Sequence, residues 1–212
     1  MDFDNLLRVA RELPVIESAN LYATGENRRA LAVQLSRWTE SEKLLRLTRG
    51  VYLLARQYRI REPALEFVAN VIVRPSFVSL EYALAFHGMI PEAARLVTSV
   101  TTSRPRIYKT SIGEFDYRHL GRERFFGYQS YSVSNGEAWV ATPERALLDV
   151  VYFSPGEYTK NRVEQLRLQQ LEKLDLRALS ELALRFGSAK VTRAVRRIIR
   201  YAQEDLKEIF EV

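Results

Sequence analysis

The spacing of hydrophobic positions at the start of the chain predicts a run of helices. Apolar residues recur at helical intervals from Asp4 to Leu13, and a short second helix is predicted over Ser18 to Tyr22. The stretch from Thr24 to Asn27 has the composition of a turn. Asn27 is also a suitable N-cap for a third helix, which begins at Arg28 and ends near Thr39.

A hairpin is predicted directly after the third helix. Strand-like apolar residues lie on both sides of Thr48-Arg49-Gly50, and hairpins that contain glycine use three-residue loops of this kind. Helix, short helix, turn, helix and hairpin, in this order, form a winged helix-turn-helix. In that motif the third helix enters the DNA major groove and the hairpin lies along a phosphate backbone. We therefore predict a DNA-binding domain over residues 1–60, with a polar and basic linker around Gln57 to Pro63.

The remaining residues, 61–212, predict a second domain of mixed α/β type, which places the whole chain in the α+β class. Helices are predicted over Ala64 to Val73, over Leu80 to His87 with Ser79 as N-cap, and after Thr142-Pro143-Glu144. Segments rich in Val, Thr, Tyr and Phe predict a small antiparallel sheet. They are Leu96 to Thr102, Ser111 to His119, Phe125 to Val133 and Glu137 to Ala141. This sheet-containing part ends near residue 152, and a helical tail follows over residues 158–210.

Positive charge is concentrated in the predicted DNA-binding domain. The chain has a net charge of +6 and a pI near 9.6, which favours a polyanionic partner. The window from Asn27 to Arg61 contains nine basic and two acidic residues. Its net charge of 9 − 2 = +7 therefore exceeds the net charge of the whole chain. Arginine can contact guanine, and glutamine adenine, through paired hydrogen bonds, whereas cations on a hairpin would neutralise phosphates. The candidates are Arg28, Arg29, Gln34 and Arg37 on the recognition helix, and Lys43, Arg46 and Arg49 on the wing.

The last predicted helix carries a second basic surface, the C-terminal stripe. It consists of Lys190, Arg193, Arg196, Arg197 and Arg200, opposite an apolar face. Such a stripe can be a second nucleic-acid surface, a docking surface for an acidic partner protein, or the solvated side of an amphipathic helix. The sequence leaves these three interpretations open.

Few residues are suited to catalysis. The chain has no cysteine, two histidines, and neither a phosphate-binding glycine loop nor a nucleophile elbow. Glu114 and Asp116 form a tight acidic pair, but their alternating positions favour a solvated strand face over a metal site. We therefore predict no enzymatic activity, no metal and no cofactor. His87 is interpreted as structural, and Trp38 and Trp139 are predicted to lie in the core.

The sequence contains no apolar run of about 18 residues, the length that a membrane-spanning helix needs. The N-terminus also lacks the basic and then apolar pattern of a signal peptide. We therefore expect a cytoplasmic protein that makes no membrane contact.

Several segments of the chain resemble the AbiEi-type antitoxins. They are LLRLTRGVYLL in the predicted hairpin, PSFVSLEYALAFHGMIPE (Pro75 to Glu92), VTSVTT (Val97 to Thr102), FFGY (Phe125 to Tyr128) and ATPERALLDVVY (Ala141 to Tyr152). The matching segments occur in the same order as in the family and span about the first 150 residues. Its most specific parts are the second and the last of these segments.

This resemblance implies an antitoxin of a bacterial type IV toxin–antitoxin system. It implies an N-terminal winged helix that represses the antitoxin's own operon, and a C-terminal domain, here residues 61–212, that is needed for antitoxicity. The usual partner is a nucleotidyltransferase toxin encoded next door, in systems similar to those that abort phage infection. A type IV antitoxin need not hold its toxin in a stable complex. Direct contact with the toxin therefore stays open, as does binding to operator DNA as a dimer.

We therefore expect a DNA-binding autorepressor and antitoxin that is not an enzyme. One alternative is a plain winged-helix transcriptional regulator whose second domain senses a ligand or another protein. A further alternative is a metal-dependent nuclease built on the strand that carries Glu114 and Asp116.

Overall fold

The computed structural model describes residues 1–10, 14–23, 25, 27–91, 96–134 and 136–210. The N-terminal unit contains α1 (Phe3–Ala10), β1 (Val15–Glu17), α2 (Ser18–Ala23), α3 (Arg28–Glu40), β2 (Leu44–Thr48) and β3 (Val51–Leu54). Its strands form an antiparallel sheet with β3 in the middle. The predicted helices and hairpin strands are confirmed. The short strand β1 is an addition, because three residues cannot show an alternating pattern.

The start of α3 agrees with the prediction. The side-chain oxygen of Asn27 accepts hydrogen bonds from the backbone N–H groups of Arg29 and Ala30, at 3.0 and 3.1 Å, so the predicted N-cap is confirmed. Parts of two other predictions, residues 11–13 of the first helix and residues 24 and 26 of the turn, lie outside the described residues.

The hairpin loop is shorter than the prediction. Thr48 pairs with Val51, so the turn consists of Arg49 and Gly50 alone. A shift in pairing register between Arg46 and Thr48 accommodates the extra residue within β2. The three-residue loop expected from the sequence is therefore wrong by one residue, because Thr48 joins the ladder.

The rest of the chain folds around a six-stranded sheet. Its elements are α4 (Leu65–Ile72), β4 (Ser76–Val78), α5 (Leu80–Phe86), β5 (Leu96–Thr101), β6 (Arg106–Thr110), β7 (Gly113–His119), β8 (Tyr128–Val133), β9 (Gly136–Ala141), α6 (Pro143–Phe153), α7 (Lys160–Gln165), α8 (Leu176–Phe186) and α9 (Ala189–Phe210). The strand order is β6-β7-β5-β4-β9-β8. Helices and sheets thus combine as the predicted α+β class requires.

This sheet is mixed rather than antiparallel, which corrects the prediction. β5 pairs with β7 in parallel, and β4 pairs with β9 in parallel, while the other neighbours are antiparallel. The two central strands β4 and β5 are buried along almost their whole length, because helices or loops cover both faces. Residue composition predicts strands but carries no information on the direction of strands that pair across long stretches of sequence.

The three-stranded sheet lies between two hydrophobic cores. Leu53 and Leu54 are adjacent on β3 and both completely buried, so they point to opposite faces. Leu54 packs with Leu31 and Leu35 of α3, whereas Leu53 belongs to the larger core that also contains Val68 of α4. The N-terminal unit is therefore attached to the rest of the chain through one face of its own sheet, which packs in the larger core.

Arg145 on α6 lies in the larger core and is completely buried. Its Nε and Nη2 atoms donate to the two carboxylate oxygens of Asp149, at 3.0 and 2.8 Å, and Nη1 donates to the Arg124 carbonyl at 2.8 Å. The Ser79 hydroxyl donates to the same carboxylate at 2.6 Å, instead of capping α5 as the sequence predicts. Each buried charge thus has an opposite charge and hydrogen-bond partners.

Aromatic rings enclose the Arg145 guanidinium. Its central carbon lies 5.4 Å from the ring centroid of Phe77, and 5.0 Å from the centroids of Phe126 and Phe186. Gly127 allows the loop before β8 to pass close by, since a Cβ atom there would lie 3.1 Å from the Arg145 side chain. These contacts join β4, α6, α8 and the loop before β8 at one point.

Replacing Asp149 with alanine should strongly destabilise the protein. The Arg145 cation would stay buried without its counter-charge, and loss of one partner of a buried pair costs about 3 to 5 kcal/mol. Glu181→Ala is the matched control, because Glu181 pairs with Arg177 at the same i,i+4 spacing on the surface. We expect a loss of less than about 1 kcal/mol there. Urea unfolding measures both free energies, and equal losses would contradict this account of the core.

Candidate nucleic-acid interface

The outer face of α3 presents two arginines with a valine between them. Arg29, Val33 and Arg37 follow at four-residue spacing and so lie along one side of the helix, away from the buried Leu31 and Leu35. Arg29 and Arg37 are exposed, and Val33 is 48% exposed. Val33 is absent from the candidates chosen by residue type, although its position opposite the apolar stripe indicates exposure. A valine there can contact the methyl group of thymine.

Arg28 and Gln34 lie on the flanks of this face. The Arg28 guanidinium stands 5.5 Å from the ring centroid of Tyr22 on α2. Gln34 is half-buried, and its Oε1 atom is buried with no hydrogen-bond partner in the part of the chain that the structure describes. A paired contact to adenine uses both the oxygen and the nitrogen of the amide. The Gln34 side chain must therefore rotate before it can make such a contact.

The hairpin turn places Arg49 at an exposed tip. Gly50 supplies the positive φ of 79° that the turn needs, and its carbonyl accepts a 2.8 Å hydrogen bond from the Ser18 N–H at the start of α2. Arg46 is exposed on β2, opposite Tyr52 of β3. The turn is thus fixed against α2, while Arg49 at its tip and Arg46 on β2 are both exposed to solvent.

Arg46 and Arg49 line a shared cavity of about 690 Å³. Tyr22 and Tyr52 also line this cavity, and Tyr22 is the ring beside Arg28, so the structure brings the start of α3 close to the hairpin. A surface with several guanidinium groups around one concavity attracts phosphate, and each phosphate that it neutralises releases counterions.

Lys43 is separated from the other wing cations. It precedes β2, at the end of that strand remote from Arg49, and five strand residues span about 17 Å. Its ammonium lies 4.7 Å from the ring centroid of Phe3, in a small aromatic cluster with Trp38. The sequence places Lys43 next to the hairpin, but the structure directs it toward α1.

Three of the five cations in the C-terminal stripe are engaged within the protein. Lys190 donates to the carbonyl oxygens of Tyr152 and Ser154, and both Arg193 and Arg197 pair with Glu157. The hydrogen bond from Arg193 lowers the pKa of Glu157. These contacts hold the loop before α7 against α9.

Arg196 and Arg200 form the open part of the C-terminal stripe. Both are exposed, and neither makes an ion pair with the residues that the structure describes. Three cations of the stripe therefore make contacts within the protein, and the other two are accessible to a partner.

The acidic pair proposed for a nuclease has local basic partners. Glu114 lies 3.4 Å from Lys109, and Asp116 lies 2.9 Å from Arg118. The described part of the chain contains no group of three His, Cys, Asp or Glu side chains that could hold a metal ion. Among the same residues, no helix combines the length and apolar character needed to cross a membrane.

A second concave site, the aromatic cleft, has a volume of about 640 Å³. Its rings are Phe67 of α4, Phe125, Tyr128 of β8 and Trp139 of β9. Trp139 is 48% exposed, so its predicted place in the core is wrong. The neighbouring strand residues Ala138 and Val140 fill the core instead, because successive side chains of a strand point to opposite faces.

No protein-family model matches the chain, and the curated proteins include none with significant similarity. The arrangement of the side chains is therefore the main evidence on function.

Proposed function

We propose that residues 1–60 form a winged helix-turn-helix that binds double-stranded DNA. The observation that supports this most directly is the combination of an exposed Arg29–Val33–Arg37 face on α3 with the Arg46–Arg49 hairpin beside it. Guanidinium groups on a helix suit guanine in the major groove, and those on a hairpin suit phosphates. The chain would use this surface to repress its own operon.

We further propose that the protein is the antitoxin of a type IV toxin–antitoxin system, whose functional partner is a nucleotidyltransferase toxin. This proposal rests on the resemblance in the segments Pro75 to Glu92 and Ala141 to Tyr152. Within the described residues, these segments meet in the core, where Ser79 contacts Asp149 and the His87 ring contacts the Ala141 carbonyl. The resemblance in these two segments therefore supports a fold in common with the family. It gives no evidence of a functional surface in common with the family.

One observation favours the alternative of a regulator that senses a ligand. The aromatic cleft lies in the second part of the chain, and Arg74 lines both this cleft and the cavity beside the hairpin. Arg74 also forms a bidentate ion pair with Glu17 of β1, with N–O distances of 2.6 and 3.0 Å. A ligand in the cleft would thus lie next to a contact between the two parts of the protein.

Loss of Arg29 and loss of Arg49 should affect DNA binding differently. With a duplex selected from a random library, Arg29→Ala should weaken binding by about 1 to 3 kcal/mol and relax base preference at one position. Arg49→Ala should weaken selected and scrambled duplexes alike, and reduce the salt slope by about one unit. Fluorescence anisotropy titrations at several salt concentrations provide both quantities.

Arg177→Ala is the control for this experiment, because it removes an equally positive and exposed side chain from α8. It should leave the affinity for the selected duplex almost unchanged. Equal effects of the Arg29, Arg49 and Arg177 variants would mean that only overall charge matters, and the proposed interface would be wrong.

Antitoxicity should depend on the open part of the C-terminal stripe. The double variant Arg196→Glu and Arg200→Glu should lose growth rescue when it is co-expressed with the nucleotidyltransferase toxin that we propose as its partner, while its DNA binding stays intact. Arg177→Glu, an exposed charge reversal on α8, should retain rescue. Full rescue by the double variant would assign these two arginines to a solvated surface, and failure of the unaltered chain to rescue would contradict the antitoxin proposal.

A further inference from the structure

The aromatic cleft has the size and lining of a small-molecule site. Its volume of about 640 Å³ lies within the range of about 300 to 1,000 Å³ that is usual for ligand pockets. Tyr128 meets Trp139 edge to face at 5.7 Å, and it meets Phe125 at 5.3 Å with the two rings tilted by 59°. On its other side Tyr128 stacks on the buried Phe77, at 4.6 Å and 16°. The aromatic wall is therefore held in place by packing.

The polar groups of the cleft are mostly engaged. Asn70 accepts a 2.6 Å hydrogen bond from the Trp139 N–H and donates to the carbonyl oxygens of Trp139 and Ser76. The Ser76 hydroxyl donates to the Val73 carbonyl. Arg74 at one end is already neutralised by Glu17. Asn70 thus fixes the backbone that carries Trp139, and the side chains of Asn70, Ser76 and Arg74 are already engaged within the protein.

Glu137 supplies a carboxylate to the lining of the cleft. Its Oε2 atom accepts a 2.7 Å hydrogen bond from the Ser130 hydroxyl, and the side chain forms no ion pair with the described residues. Glu137 lies two residues before Trp139 on β9, so both side chains project from the same face of the strand. One uncompensated carboxylate therefore stands beside a wall of aromatic rings.

We propose that the aromatic cleft binds a small organic cation with a quaternary ammonium or guanidinium head. The faces of aromatic rings attract such cations, and a carboxylate nearby neutralises the charge without the strong dehydration that a metal ion would require. An anion would meet Glu137 with no free cation opposite it, and a neutral ligand would leave the carboxylate uncompensated. The proposal does not rest on the DNA interface, because its test measures only the binding of a small cation to the cleft.

Choline and its uncharged isostere 3,3-dimethylbutan-1-ol provide the direct test. In a Trp38→Phe background, Trp139 is the single tryptophan, and its fluorescence reports on the cleft. Choline should change the emission in a saturable manner and bind at least about tenfold more tightly than the isostere, which corresponds to about 1.4 kcal/mol. Calorimetry on the unaltered chain measures the same constants without the Trp38 substitution.

Glu137→Gln keeps the shape of the side chain and removes its charge. This variant should bind choline about tenfold more weakly, whereas Glu114→Gln, an exposed acidic residue on β7, should bind choline like the unaltered chain. Equal affinity for choline and the isostere, failure to bind choline, or an unchanged choline affinity in Glu137→Gln would overturn the proposal.

A guanidinium group that binds the cleft can belong to a free small molecule or to an arginine side chain of another protein. Agmatine and acetyl-Gly-Arg-Gly-amide carry an identical guanidinium group and separate these sources. Tighter binding of agmatine assigns the cleft to a free cation, and tighter binding of the peptide assigns it to an arginine of a partner protein. If neither compound competes with choline, the guanidinium part of the proposal is wrong.

Discussion

The buried Arg145 guanidinium fixes the positions of most elements around it. A charge in a water-free core is tolerated only where an opposite charge and hydrogen-bond acceptors stand at the correct distances. Asp149, Ser79 and the Arg124 carbonyl meet this requirement, and they come from α6, from the junction between β4 and α5, and from the loop before β8. The core can therefore close only when these elements are in register.

The same ion pair lies among three of the five segments on which the proposed relation to the AbiEi-type antitoxins rests. Arg145 and Asp149 belong to ATPERALLDVVY, Ser79 to the segment that begins at Pro75, and Phe126 to FFGY. These short segments are far apart in sequence, but they surround one ion pair. A resemblance carried by such residues is evidence about the core, whereas function depends on surface residues that can change without affecting it.

A second constraint is the three-stranded sheet of the N-terminal unit, whose two faces pack in different cores. Because Leu53 and Leu54 point into different cores, β3 cannot move relative to one core without disturbing the other. The ion pair between Glu17 and Arg74 adds a further link. The predicted boundary near residue 60 separates two groups of elements, but Leu47, Val51 and Leu53 of the hairpin pack in the larger core. A change near Arg74 could therefore reach the hairpin through packed side chains.

Local signals in the sequence predicted the parts of the fold that depend on local contacts. Asn27 and Thr142 cap their helices through side-chain hydrogen bonds to residues two or three positions later, and such caps can be recognised from residue type. Strand direction, the strand β4 and the burial of Arg145 depend on partners distant in sequence, so they could not be predicted. The strand β6 pairs with β7 directly after it, where Thr110 lies opposite Gly113, so its absence from the prediction is a missed local signal. At the candidate interface, the sequence identified Arg29, Arg37 and Arg49. It included Lys43, which packs on Phe3, and it missed Val33, because the candidates were chosen by residue type rather than by position on the helix.

The central functional claim is that α3 and the hairpin turn together contact DNA. Hydrogen–deuterium exchange of the full chain, free and bound to a selected duplex, measures this claim most directly, because it locates protection without changing a residue. We expect slower exchange around Arg29 to Val33 of α3 and at the turn of Arg49 and Gly50, with unchanged exchange in α9. Protection of α9 together with unchanged exchange in α3 and the turn would contradict the account.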